Sequence, residues 1–201
     1  MNFFQKTIAG LVAASSVIFP VSADVQTQPT QTFQDYIEIA NAIEEAGIDF
    51  QLNPPACAEQ PNTYGWYYAA GKQLVVCQVD AKMYQFGEYE WTDEDLDTLR
   101  HEAHHLVQDC MDGRLDGHLT TVYRGFPAVV KRELDYEMIA RIMEVYKDLT
   151  DHQIAMELEA FAVARMNDPK EQLADIQRYC LWCITQWNVT SQTPSLPLRV
   201  I

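Results

Sequence analysis

The sequence predicts an α+β fold, with a small antiparallel or mixed sheet that contains a hairpin and precedes a mostly helical C-terminal half. Aromatic and β-branched residues fill positions 64–70 and 73–79 on either side of Gly71-Lys72, a pattern typical of a hairpin. Residues 48–52 alternate as a further strand does before the Asn53-Pro54-Pro55 break. From residue 93 onwards, apolar residues recur mainly with the 3.6-residue period of helices.

Capping signals divide the helical part of the chain. Thr92 with Asp95 and Thr150 with Gln153 are typical of helix starts, and Asp168-Pro169 places proline at a first helical position. We therefore expect helices over residues 32–47, 93–111, 128–149 and 150–167, and a last one that begins at 168. A loop with three glycines separates the second and third of these helices.

Residues 1–23 are predicted to be a signal peptide. A short charged start precedes a largely apolar run over residues 7–20, and Val21-Ser22-Ala23 is a cleavage site of the A-x-A kind. The apolar run is shorter than the roughly 20 residues that a spanning helix needs. We expect residues 24–201 to form a single exported domain, secreted or periplasmic, with no membrane association after cleavage.

The charge of the chain excludes some partners. It has 29 acidic and 14 basic residues, for a formal net charge of −15. Nucleic acids and anionic membrane surfaces attract basic patches, so neither is an expected partner. Nothing in the sequence indicates an oligomeric state.

The five cysteines all follow residue 23, and in an oxidising compartment they are expected to form disulfides. Cys57 and Cys77 flank the hairpin and are predicted to pair. Cys110 is predicted to pair with Cys180 or Cys183, which leaves one thiol over. Cys180 and Cys183 form a C-x-x-C pattern, but it lies late in a helical run, so we expect a structural role rather than redox chemistry.

The most informative motif is His101-Glu102-Ala103-His104-His105, which reads H-E-x-x-H within the helix predicted over 93–111. Histidines four residues apart share a helix face and can hold one Zn²⁺ ion, with the glutamate placed to deprotonate a bound water. His101 and His105 fall opposite the apolar stripe of this helix, so we expect them to face a cleft. His104 is interpreted as a neighbour of the site and not as a ligand.

A catalytic zinc needs a third protein ligand. The extension H-E-x-x-H-x-x-G-x-x-H is absent, because Gln108 and Met111 occupy the glycine and histidine positions. The segment over residues 157–164 sets two acids in an alanine-rich helix, where a buried carboxylate needs a cation. Glu159 is the predicted ligand, and Glu157 is interpreted as a surface residue. Asp112 and Asp116 are weaker alternatives.

With these residues the chain resembles the gluzincins, zincin metallopeptidases whose third ligand is a glutamate on a later helix. Glu159-Ala160-Phe161-Ala162 is similar to the segment that begins with that glutamate, although Phe161 stands where an acid or amide is frequent. The hairpin between Cys57 and Cys77 is similar to that of small secreted metallopeptidases. The resemblance implies a zincin-like fold and an edge strand that aligns an extended peptide.

The sequence therefore predicts a zinc-dependent peptidase. His101, His105 and Glu159 would hold Zn²⁺, and Glu102 would act as general base on a peptide or protein substrate. The oxyanion-stabilising donor stays open among Tyr123, Tyr136, Tyr146, His118 and His152. Two alternatives remain: a zincin-fold protein that binds zinc and acts as a secreted binding or inhibitory module, and a disulfide-stabilised helical protein whose histidines bind no metal.

Overall fold

The computed structural model describes residues 14–15, 33–84, 89–166 and 168–181, and its architecture is α+β with helices in the majority. The strands are β1 (Ala14–Ser15), β2 (Asp49–Leu52), β3 (Gly65–Tyr68) and β4 (Gln73–Val76). The helices are α1 (Phe33–Glu45), α2 (Ala56–Glu59), α3 (Val79–Tyr84), α4 (Asp93–Cys110), α5 (Phe126–Glu133), α6 (Tyr136–Val145), α7 (Asp151–Met166) and α8 (Pro169–Ile176). The described residues do not include Cys183, the C-terminal tail or the predicted signal peptide, apart from residues 14–15.

The sheet is mixed and contains the predicted hairpin. Its strand order is β1-β3-β4-β2, with β3 antiparallel to β4 and β2 parallel to β4. Lys72 takes the left-handed conformation that closes the turn between β3 and β4, with φ of 51°. The two-residue β1 lies within the predicted signal peptide and pairs antiparallel with β3. Without β1, β3 would form an edge of the sheet.

The predicted helix over residues 128–149 is wrong in one respect, because the structure divides this stretch into α5 and α6. Leu134 is extended, with φ of −111° and ψ of 130°. The carboxylate of the next residue, Asp135, accepts a hydrogen bond from the Met138 backbone N–H at 2.7 Å. Asp135 therefore acts as an N-cap, which starts a new helix although the apolar periodicity continues through the break. None of the helices in the described ranges is long and apolar enough to cross a membrane.

Helix α4 occupies the centre of the molecule. It contacts the sheet through β3 and β4, and it packs against α1, α7 and α8. Residues 98–110 of α4 are all buried, polar side chains included. His101 and His105, which are predicted to face a cleft, are among these buried residues, with exposed fractions of 2% and 0%.

Two disulfides join these elements, as expected for an oxidising compartment. Cys57 pairs with Cys77, which ties the α2 loop to the end of β4 as predicted. Cys110 pairs with Cys180, one of its two predicted partners, and links the end of α4 to the turn after α8. This second bridge closes a loop that contains α7, so it constrains the chain around the motif helix.

Gly65 sets how closely β3 approaches α4. A Cβ atom at this position would lie 2.6 Å from Thr98 Cγ2, 2.8 Å from the Val75 carbonyl oxygen and 3.0 Å from Glu102 Cγ. We expect Gly65→Ala to lower the free energy of unfolding by about 1–3 kcal/mol, because the strand must move away from the helix. Urea denaturation of the metal-free protein measures this loss.

Gly125→Ala is the matched control, since a Cβ atom there meets nothing within 4 Å. It removes a glycine N-cap and should lower the free energy of unfolding by less than about 1 kcal/mol. Equal losses in the two variants would show that the contact between β3 and α4 is not sterically limited.

Candidate metal centre

The local sequence of α4 explains why the motif is helical. The Thr92 hydroxyl accepts a hydrogen bond from the Asp95 backbone N–H at 3.2 Å, and the Asp95 carboxylate accepts one from the Thr92 N–H at 2.8 Å. The predicted capping box is thus confirmed. The same carboxylate also accepts a hydrogen bond from the Val79 N–H at 2.8 Å, so the start of α4 is fixed to the start of α3.

His101, His105 and Glu157 form the one group in the described residues whose donor atoms could jointly hold a metal ion. The two imidazole Nε2 atoms lie 3.1 Å apart. Glu157 Oε2 is 3.4 Å from His101 Nε2, and Glu157 Oε1 is 3.7 Å from His105 Nε2. All three side chains are buried, with exposed fractions of 0–2%. A carboxylate from α7 thus completes the pair of histidines supplied by α4.

The structure does not bring Glu159 together with His101 and His105. Its carboxylate is fully buried elsewhere along α4, where Oε2 accepts hydrogen bonds from His104 at 3.2 Å and Gln108 at 2.9 Å. The loop before α5 adds two donors, the backbone N–H groups of residues 122 and 123, at 3.0 and 2.9 Å. These contacts fix the loop to α7. Beside the two histidines, Glu157 stands where Glu159 is predicted.

Helix geometry explains why only one of the two glutamates reaches the histidine pair. Residues two apart on a helix point in directions about 200° different around its axis, so their side chains do not lie on the same face. Glu157 and Glu159 therefore lie on opposite flanks of the face that α7 presents to α4. Glu157 meets the row formed by His101 and His105, whereas Glu159 meets the adjacent row formed by residues 104 and 108.

The spacing of two residues indicates that the two glutamates point in different directions, but nothing in the sequence chooses which of them reaches the histidines. The choice depends on the rotation of α7 about its axis relative to α4, which is a property of tertiary packing. The interpretation of Glu157 as a surface residue is corrected by its 2% exposure. In the sequence, Gln108 is only a departure from a longer motif; in the structure, its Oε1 atom lies 2.8 Å from His105 Nδ1.

The pKa values of the cluster depend on burial and on the contact between Glu157 and the two histidines. Burial lowers the pKa of His101 to about 4, which keeps its imidazole neutral. Burial alone would raise the pKa of Glu157, but the charge of His105 outweighs it and lowers the pKa to about 2. Burial likewise opposes the protonation of His105, whereas the Glu157 carboxylate more than compensates and raises its pKa to about 9. The cluster thus contains a buried carboxylate that a positive charge stabilises.

Glu102 lies between the two histidines in sequence and is fully buried beside them. Its carboxylate is close enough to His105 to contribute to the raised pKa of that residue. On its other side, its Cγ atom lies 3.0 Å from the point where a Cβ atom would stand if Gly65 of β3 had a side chain. The strand therefore packs directly against the predicted general base.

The remaining candidates lie away from the cluster. His118 and His152 stack on one another, with ring centroids 6.2 Å apart. Tyr136 is 87% exposed. Asp112 and Asp116 each accept a hydrogen bond from a backbone N–H two residues later, in an exposed turn.

Two tyrosines are closer to the motif helix. Tyr123 stacks against His104, with centroids 6.2 Å apart, and its hydroxyl lies 3.4 Å from the Asp175 carboxylate. Tyr146 contacts the ring of Phe161, which in turn packs against His101 with centroids 4.4 Å apart. Neither contact selects an oxyanion-stabilising donor.

Comparison with known proteins identifies the family. The family model described as "Domain of unknown function (DUF8637)" matches residues 29–181. The chain belongs to this family. The matched region contains His101, Glu102, His105, Glu157 and Gln108. No curated protein and no solved structure matches the chain, so the resemblance to gluzincins stays a prediction.

The hydrogen bonds of Glu159 predict a structural role for this residue. Glu159→Ala leaves two side chains and two backbone N–H groups without their acceptor, so the free energy of unfolding of the metal-free protein should fall by about 3 kcal/mol or more. Urea denaturation in excess chelator measures the loss. Glu159→Gln keeps one acceptor oxygen and should lose less. An Ala variant as stable as the wild type would contradict this role.

Proposed function

We propose that the protein is an exported zinc-dependent peptidase whose metal is held by His101, His105 and Glu157, with Glu102 as general base. The observation that carries this proposal is the convergence of two imidazole Nε2 atoms and one buried carboxylate beside the H-E-x-x-H glutamate. It differs from the expectation drawn from the sequence in one residue, since Glu157 takes the place of Glu159 as the third ligand.

The donor set fits zinc in both chemistry and spacing. Imidazole nitrogen and carboxylate oxygen are common zinc ligands, and two histidines with one glutamate is a known catalytic set. Donors about 2.0–2.1 Å from a tetrahedral ion lie about 3.3 Å from one another. The two imidazole Nε2 atoms are 3.1 Å apart, and Glu157 approaches His101 through Oε2 at 3.4 Å and His105 through Oε1 at 3.7 Å. One donor atom from each residue lies within 4.8 Å of the other two, so small side-chain shifts would bring the three donors to this spacing. Glu157 Oε2 also has no hydrogen-bond partner in the described part of the chain, although it is buried.

Three protein ligands favour a catalytic site over a structural one. Structural zinc sites use four protein ligands, whereas catalytic sites keep a position for water. Among the described residues, the cluster provides three. Zinc bound there would polarise a carbonyl group and lower the pKa of a bound water towards neutrality. Glu102 would accept the proton of that water and transfer it to the leaving amine.

Strand β3 supports a peptide as the substrate. It packs against α4 at Glu102. In the sheet it lies between β4 and β1, and β1 belongs to the predicted signal peptide. Once that segment is removed, the backbone groups along β3 would be available to pair with an extended peptide. The resemblance to gluzincins assigns this role to the edge strand. The two disulfides support export to an oxidising compartment.

The burial of the site favours a second candidate function, a zinc-binding protein without proteolytic activity. His101, Glu102, His105 and Glu157 are each at most 2% exposed. A substrate carbonyl needs access to the metal, so this enclosure must open for hydrolysis to occur. A closed site would instead suit a secreted binding or inhibitory protein.

Zinc analysis tests the ligand set. We expect about one zinc per chain in the wild-type protein, and loss of that zinc in Glu157→Gln, because a neutral amide is a poor zinc ligand. Glu159→Gln is the matched control on the same helix: because Glu159 does not coordinate the metal, this variant should still bind about one zinc per chain at saturating zinc, whatever its effect on affinity. Elemental analysis after purification without chelator gives the stoichiometry. Loss of zinc in the Glu159 variant with retention in the Glu157 variant would show that Glu159, as predicted from the sequence, is the third ligand.

Glu102→Gln tests the catalytic role. The variant should keep about one zinc per chain and lose about 10²–10⁴-fold in peptide hydrolysis, because the amide cannot accept a proton. Cleavage of a peptide library, followed by mass spectrometry, measures the activity. Undiminished cleavage by the variant would exclude Glu102 as the base. A zinc-loaded wild-type protein that cleaves nothing would favour the second candidate.

A further inference from the structure

His105 is held by a hydrogen bond at the ring nitrogen that faces away from the metal cluster. Its Nδ1 atom lies 2.8 Å from Gln108 Oε1, while its Nε2 atom faces His101 and Glu157. Gln108 follows His105 by three residues on α4 and is fully buried. This contact is independent of the motif that suggested the metal site.

The orientation of the Gln108 amide is determined by its other contacts. Its Nε2 group donates to the Met156 carbonyl oxygen at 3.1 Å and to the Glu159 carboxylate at 2.9 Å. Both partners are pure acceptors, so the amide nitrogen must face α7 and the amide oxygen must face His105. That oxygen can only accept, so His105 Nδ1 must carry a proton. In a neutral imidazole this leaves the Nε2 lone pair for a metal.

The other histidine of the pair has no equivalent support. His101 Nδ1 makes no hydrogen bond in the described part of the chain. Its ring instead packs against the ring of Phe161, with centroids 4.4 Å apart at 64°. Of the two histidines, His105 is therefore the one whose ring is oriented by a hydrogen bond at Nδ1.

We propose that Gln108 is a positioning residue for the metal site: Glu159 and the α7 backbone hold its amide, which fixes the tautomer and orientation of His105. The proposal rests on the metal site of the proposed function and requires no catalytic activity. It also gives Glu159 a part in metal binding through a hydrogen bond instead of through coordination. Partners that orient ligand histidines typically change metal affinity 10- to 100-fold when they are removed.

The test compares Gln108→Leu with Gln172→Leu. Gln172 on α8 is also buried, and its side chain donates to the carbonyl oxygen of Arg100 on α4. Among the described residues, it has no hydrogen bond to a candidate ligand. We expect Gln108→Leu to raise the zinc dissociation constant about 10- to 100-fold and Gln172→Leu to leave it within about threefold of the wild type. Competition with a chromogenic chelator measures the constants, and urea denaturation without metal compares the stability loss of the two variants.

Nuclear magnetic resonance of the zinc-loaded protein gives a second readout that a packing defect alone would not change. The wild type should show a slowly exchanging proton on His105 Nδ1, and this signal should be lost in Gln108→Leu and kept in Gln172→Leu. An unchanged zinc affinity in Gln108→Leu, or equal weakening in both variants, would overturn the positioning role while leaving the metal site intact. A wild-type protein that takes up no zinc would overturn the site itself, together with the proposed function.

Discussion

The packing of α7 on α4 is the constraint on which the site depends. It brings two buried carboxylates against four polar side chains of the motif helix, in a region with almost no solvent exposure. Burying a charged group without compensation costs several kcal/mol, so each carboxylate needs partners that the opposite helix supplies. Glu159 has its partners in the structure as hydrogen-bond donors. Glu157 lies beside the two imidazoles, and the charge of His105 lowers the pKa of its carboxyl group. A metal ion bound there would supply the compensating charge instead.

The small side chains of α7 make this packing feasible. Ala160, Ala162 and Ala164 are buried, so the helix can approach its neighbours closely while Glu157 and Glu159 extend on either flank. On another face of α4, Gly65 allows a similarly close approach of β3. Two of the elements that pack against the motif helix, α7 and β3, thus approach it through residues with little or no side chain. This close packing explains why its polar residues are buried and why they all need specific partners.

Local signals in the sequence were sufficient to predict most of the secondary structure. The hairpin around Lys72 and the capping box of Thr92 and Asp95 are short-range features, and the structure contains both. The apolar period does not change at Asp135, and this continuity outweighed the preference of aspartate for N-caps over helix interiors, so the sequence predicts one helix where the structure has two. The pairing of Cys110 was predicted only as a choice of two, since the chain between them allows either.

The site was predictable up to the point where two helices must be placed relative to each other. His101, Glu102 and His105 follow from one helix and its period, and the structure groups both histidines in the cluster. Glu157 could not be chosen over Glu159, because the rotation of α7 is set by contacts from the whole interface. The most direct test of the account is a crystal structure of the zinc-soaked protein with anomalous data at the zinc edge. We predict one anomalous peak about 2.0–2.2 Å from His101 Nε2, His105 Nε2 and a Glu157 oxygen; a peak bound by Glu159 or His104, or no peak in this region, would contradict it.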